Sequence, residues 1–141
     1  MKKAPTVSLL LTLPFYLFSQ LQITGTGTFN ADLSGFTGSG FHPTPASGQL
    51  DSDTWRVTGF SDGDGTFGGT HTTGDFARGS HSGGVTTGGV YKFGGRLGVQ
   101  PTDADFTPGT ITLRIQNVSG SPITEFQINY TVSSYNDQNR A

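Results

Sequence analysis

Thr110-Ile111-Thr112-Leu113-Arg114-Ile115-Gln116-Asn117 and Thr124-Glu125-Phe126-Gln127-Ile128-Asn129-Tyr130-Thr131-Val132-Ser133 decide how this chain reads. In the second stretch Phe126, Ile128, Tyr130 and Val132 alternate with polar residues. In the first, Ile111, Leu113 and Ile115 do the same. A period of two sends one face of a strand into a core and the other into water. Between them Asn117-Val118-Ser119-Gly120-Ser121-Pro122 is rich in turn formers. The pattern predicts an antiparallel hairpin over 110–117 and 123–134, with Ile128 on the buried face and Gln127 on the wet one.

Upstream the candidate strands are shorter. Trp55–Phe60 alternates around Trp55 and Val57, and Val90–Phe93 and Leu97–Val99 flank Gly94-Gly95. Gln22–Phe29 offers an opening strand. No window sustains a 3.6-residue period. The 22 glycines interrupt helices, while the abundant threonine suits a pleated surface. The expected fold class is all-β, an antiparallel β-sandwich of jelly-roll type. Ser61–Gly89 is long for a connection, so it is expected to be a functional loop or to hold short strands, pinned by Phe67, Phe76 and Val85. Glycine-threonine phrases recur without a fixed period, which argues against a solenoid or propeller. Tyr135–Ala141 follows directly on the best strand, where a closed sandwich would place another. Residues 20–141 are therefore expected to form a sandwich module incomplete at its C-terminus, with an edge open to a partner or to self-association.

Residues 1–19 read as a signal peptide. Lys2 and Lys3 supply the positive start, Val7–Phe18 a short apolar run, and Ser19 a small residue before Gln20. The run is shorter than the roughly 20 apolar residues that span a bilayer. The expectation is a secreted or cell-surface protein with no membrane span after cleavage.

Net charge is −2, and losing Lys2 and Lys3 leaves −4. Nucleic-acid binding needs a cationic footprint, and two charges between Lys92 and Arg96 do not make one. With no cysteine, thiol catalysis and thiolate metal sites are excluded, and no disulfide supports the fold. Hydrophobic content of 32% is low, but 11 phenylalanines give bulk for a core and the net charge is too small for a disordered tail.

Several phrases carry a resemblance. They are Leu50-Asp51-Ser52-Asp53-Thr54-Trp55, Thr58-Gly59-Phe60-Ser61-Asp62-Gly63, Gly74-Asp75-Phe76-Ala77-Arg78-Gly79, Gly83–Tyr91, Leu97-Gly98-Val99-Gln100-Pro101 and Phe106–Arg114. In this order they resemble an uncharacterised glycine- and threonine-rich β-sandwich module. It lies near the N-termini of long multidomain secreted or surface bacterial proteins, often with lamin-tail-like, nuclease-like or secretion-sorting domains downstream. The resemblance spans most of residues 25–140 and implies an exported module, with no catalytic assignment to carry over. In that module further strands follow the Asn-Asp-Gln-x-Arg phrase, where this chain ends, and the connection at Phe93–Leu97 is longer than here.

The chemistry-bearing residues are few. Asp62-Gly63-Asp64-Gly65 makes Asp62 and Asp64 the calcium candidates, with Asp51, Asp53 and Asp75 as further oxygen donors. An EF-hand loop would need acids where Thr66 and Thr73 stand, so a pair of glycine-aspartate turns is the competing reading. His42, His71 and His81 match no zinc spacing. No Gly-x-Ser-x-Gly elbow is present, and Glu125 is the sole glutamate on a strand's polar face. Gly68-Gly69, Gly88-Gly89 and Gly94-Gly95 lack the lysine of a phosphate loop. Trp55 could stack on a sugar, although its alternation favours the core; Tyr130 falls on the buried phase, leaving Tyr135 the freest aromatic.

The sequence thus points to a non-enzymatic structural or adhesive module without a cofactor, calcium aside. Its partners would be an extracellular protein or a glycan, not nucleic acid. The alternatives are a carbohydrate-binding module, or an accessory domain of a secreted enzyme such as a nuclease.

Overall fold

Dense glycine punctuation leaves only short runs free to stay extended. The computed structural model, which describes residues 20–135, is built from such runs. They are β1 (Leu21–Ile23), β2 (Phe41–His42), β3 (Leu50–Asp51), β4 (Trp55–Thr58), β5 (Ser80–His81), β6 (Gly89–Phe93), β7 (Arg96–Gln100), β8 (Thr110–Leu113) and β9 (Ile115–Asn117). Among the described residues the one helical turn is a 3-10 turn at Gly74–Phe76. The fold is all-β. The signal-peptide stretch 1–19 and the end of the chain, 136–141, lie outside the described residues.

The strands form small sheets in the orders β1-β9, β2-β3, β4-β8 and β5-β6-β7. β6 and β7, the candidate strands that flank Gly94-Gly95, pair as an antiparallel hairpin, with Val90 opposite Val99 and Phe93 opposite Arg96. β4 pairs antiparallel with β8, Trp55 opposite Leu113 and Val57 opposite Ile111. The pairing is not antiparallel throughout: β1-β9, β2-β3 and β5-β6 are parallel. Parallel neighbours need a connection longer than a tight turn, and the loops between these partners supply it.

The core is mostly phenylalanine. Phe36, Phe41, Leu50, Val57, Phe60, Phe76 and Val90 are buried together, with Leu33, Trp55, Leu97, Val99 and Phe106 packed around them. Phe76 sits at the centre, edge-on to Phe60 at 5.2 Å and to Phe41 at 6.4 Å, the T-shaped contact that aromatic quadrupoles favour. It comes from the glycine-rich stretch 61–89, which the structure pins to the core as expected. Phe67 is held outside it, under the guanidinium groups of Arg56 and Arg114. Val85 is only half-buried.

The hairpin over 110–117 and 123–134 does not form. Residues 124–135 adopt no regular element and are exposed, Phe126 by 55%, Ile128 by 60% and Val132 by 80%. The first half of the prediction stands as strands, but their neighbours are others. β8 lies on β4, Arg114 N donates to Thr54 O at 2.8 Å, and β9 then continues on β1. Alternation demands an apolar face but does not name the strand that supplies the neighbouring backbone. The turn chemistry was legible: Asn117 Oδ1 accepts the Ser119 N–H at 3.0 Å and its amide donates to Ser121 O at 2.7 Å. The opening strand is also shorter than Gln22–Phe29 suggests, covering Leu21–Ile23 only.

Candidate functional site

The acids and histidines singled out in the sequence are mostly engaged with backbone. Asp64 Oδ1 accepts the Gly59 N–H at 2.7 Å, and Asp62 Oδ2 accepts the Asp75 N–H at 3.0 Å. The two calcium candidates thus hold separate turns. Asp51 Oδ1 accepts the Asp53 N–H at 2.7 Å. His42 Nδ1 accepts the Thr44 N–H at 2.9 Å, and His71 Nε2 accepts the Thr66 N–H at 2.9 Å. The His71 ring lies 4.7 Å from that of Phe76, while His81 meets Tyr91 edge-on. Among the described residues no group of three or more histidines and acids is placed to hold a metal ion. Glu125 is exposed in the irregular segment.

The strongest polar cluster surrounds Ser61. Asp75 is 2% exposed. Its Oδ1 meets Arg78 Nη2 at 2.5 Å, and its Oδ2 accepts from Ser61 Oγ and the Asp62 N–H at 3.1 Å each. Arg78 Nε donates to Gly88 O at 3.0 Å, which ties this knot to β6. Asp105 approaches from the other side, accepting the Ser61 N–H at 2.8 Å and the Thr102 hydroxyl at 3.0 Å. A buried carboxylate is tolerable only with such partners. The Ser61 backbone N–H, followed by the Ser61 side chain, holds the Asp105 carboxyl below the usual carboxylate range, against the opposing effect of burial.

That depression sets a pH dependence. A carboxyl with a lowered folded pKa stabilises the fold above its unfolded pKa of about 3.9, and the contribution is lost as pH falls through the folded value. Asp105→Asn is expected to weaken the protein near pH 7 and to shrink the further loss on going to about pH 3. Urea melts at both pH values check this. Equal acid losses in the two proteins would show that Asp105 is not a source of the acid sensitivity.

A separate feature lies on the surface beside Trp55. An open cleft of about 320 Å³ is lined by Trp55 with Asn30, Asp32, Gln49, Asp51 and Thr54. Its size lies at the lower end of small-molecule sites. Trp55 is half-buried: it packs against the core and also borders the cleft. Asp51 Oδ2 is shielded and has no hydrogen-bond partner among the described residues. The other polar side chains of the cleft are engaged locally: Asp32 accepts the Ser34 N–H at 2.8 Å and the Ser34 hydroxyl at 3.0 Å, and Gln49 Oε1 accepts the Ala46 N–H at 2.9 Å. The exposure expected of the two tyrosines is reversed by the structure. Tyr130 is the freest, 81% exposed, whereas Tyr135 stacks on Phe93 and accepts from Arg96 Nη1 at 2.8 Å.

No protein-family model, curated protein or solved structure matches this chain. Asn30, Asp32 and Asp105 have no place in the sequence reading. The Thr102-x-x-Asp105 spacing is a local turn signal, but nothing local announces that Asp105 reaches Ser61, 44 residues away in the chain.

Proposed function

We propose that this chain is an exported, non-catalytic β-sandwich module with a structural or adhesive role in a larger extracellular or cell-surface protein. The observation that carries this reading is the use made of its reactive side chains. Asp51, Asp62, Asp64, Asp75, Asp105, His42 and His71 each accept a backbone N–H. Groups engaged in this way hold glycine turns in place; a general base must instead be free to reach a substrate proton. Export is supported by Lys2, Lys3 and the Val7–Phe18 run. The sandwich reading rests on short strands surrounding one phenylalanine core. Among the described residues no helix is long and apolar enough to cross a membrane.

The Trp55 cleft favours a second reading, a carbohydrate-binding module. One experiment separates the two. The full chain is produced in a secreting bacterial host, its N-terminus is determined by mass spectrometry, and the exported material is applied to a glycan array and to a cell-attachment assay. The expected result is extracellular protein beginning at Gln20 that promotes attachment without binding glycans. A cytosolic chain, or an exported one that retains Met1, would overturn export. Glycan binding that is lost in Asp32→Ala at unchanged melting temperature would replace the structural reading with the carbohydrate one.

A further inference from the structure

His71 joins the fold at three places. Its backbone pairs with that of Phe41, each N–H donating to the other's carbonyl at 2.8 Å. Its ring lies 4.7 Å from that of Phe76, at the centre of the core. Its Nε2 atom accepts the Thr66 N–H at 2.9 Å and lies 3.2 Å from the Thr66 hydroxyl. Gly69 makes room for this approach, since a Cβ there would stand 2.5 Å from Nε2.

A backbone N–H can only donate, so the ring nitrogen that faces it must be without hydrogen. The neutral ring is thereby fixed as the tautomer with hydrogen on Nδ1. An imidazolium carries hydrogen on both nitrogens and accepts nothing. The Thr66 hydroxyl can turn to take the added hydrogen, but the Thr66 N–H then loses its acceptor and faces another donor. Among the described residues the ring has no carboxylate partner, and the charged groups of the elements around it are engaged elsewhere. Asp75 and Asp62, close to Phe76, are bound to Arg78 and to the Asp75 N–H. Asp53 Oδ1 stands 3.3 Å from the Cβ position of Gly68. His42, next to Phe41, accepts the Thr44 N–H and lies opposite Asp51 on β3. Arg56 and Arg114 cover Phe67, which follows Thr66 in the chain, so a proton on His71 adds a cation to a loop that already carries two guanidinium groups.

We propose that His71 is an acid-sensitive clasp on the 66–71 loop, closed while the ring is neutral and released when the ring gains a proton. After release the Thr66 corner is held by the Gly69 N–H to Thr66 O bond at 3.1 Å and the Gly68 N–H to Ser52 O bond at 3.2 Å, with Phe67 still beneath its two arginines. The opening is therefore local. Imidazole ordinarily takes its second proton near pH 6.5, a range in which carboxylates do not ordinarily change charge. The clasp concerns this loop alone and holds whether or not the chain is an exported adhesive module.

Hydrogen exchange of the full chain at about pH 8 and about pH 5 tests this, each rate being referred to that of an unstructured peptide at the same pH. Protection of the Thr66 amide is expected to fall about tenfold between the two, whereas the Lys92 amide, bonded to Gly79 O at 2.9 Å, keeps its protection. In His71→Gln the side-chain oxygen can take the place of Nε2 and does not titrate, so Thr66 should be equally protected at both pH values. Nitrogen NMR of the His71 ring in the unaltered chain is the second measurement, and it does not depend on how the variant folds. At about pH 8 the ring should carry its hydrogen on Nδ1. A Thr66 amide indifferent to pH, a loss shared by Lys92, the same loss in His71→Gln, or hydrogen on Nε2 at about pH 8 would each overturn the proposal.

Discussion

Phe76→Ala is expected to cost about 3–5 kcal/mol, the range for removing a buried phenyl ring from a core. The side chain is 5% exposed, lies edge-on to Phe41 and Phe60, and has the His71 ring 4.7 Å away. Truncation would remove the ring shared by these contacts and leave a cavity that short strands can close only in part. A domain of this kind has about 5–15 kcal/mol in all, and no disulfide limits the unfolded chain. Phe67→Ala is the comparison. Phe67 is half-buried beneath Arg56 and Arg114, with cation–ring distances of 4.9 and 3.7 Å. Its loss should cost about 1–2 kcal/mol, mainly two partly solvated cation–π contacts. Urea unfolding of both variants measures the difference. A Phe76→Ala midpoint at or above that of Phe67→Ala would show that the core does not centre on Phe76.

Gly38→Ala is expected to be nearly as damaging, by a different cause. Gly38 has φ of +81°, and an added Cβ would collide with the carbonyl of Gly79 and lie 2.7 Å from its Cα. This is backbone against backbone, so no side chain can yield. The same approach carries the Gly79 N–H to Gly38 O bond at 2.9 Å, which ties the loop before β2 to the strand region before β5. The methyl must push these segments apart, and a loss of about 3 kcal/mol or more is expected from the broken contact together with the strain. Gly63→Ala isolates the strain, because Gly63 also has positive φ, +106°, but none of the described residues lies within 4 Å of its Cβ position. That change should cost about 1 kcal/mol. Thermal melts of the pair decide the matter. Equal losses would mean that conformation alone, and not close approach, fixes glycine at position 38.

Much of the local structure was legible. Val90–Phe93 and Leu97–Val99 were legible as strands separated by Gly94-Gly95, and the structure joins them there as a hairpin, because a two-residue turn with positive φ fixes its own register. Asn117 announces the turn that follows it through its own side chain. The Asp62-Gly63-Asp64 phrase was legible as a turn, but not in its partners, since Asp75 and Gly59 come from beyond the turn itself. The Trp55 cleft was less visible still. Its polar wall combines Asn30 and Asp32 with Gln49 and Asp51, stretches that only the folded chain brings together.

The sequence by itself determined that the chain is β-rich, where several of its turns fall and where side chains alternate, but not which alternating face is buried, since Ile111 and Ile128 are both exposed. Those properties depend on glycine placement, side-chain branching and a period of two, all of which act within a few residues. Tertiary structure alone decided which strands are neighbours. Thr110–Asn117 lies on Trp55–Thr58 and Leu21–Ile23 instead of on the segment that follows it, and that segment keeps its alternation while standing exposed. The reason is that strand pairing is made through backbone groups, which are alike in every strand. The choice among neighbours is therefore settled by which arrangement buries Phe36, Phe41, Phe60 and Phe76 together, and that is a property of the whole chain.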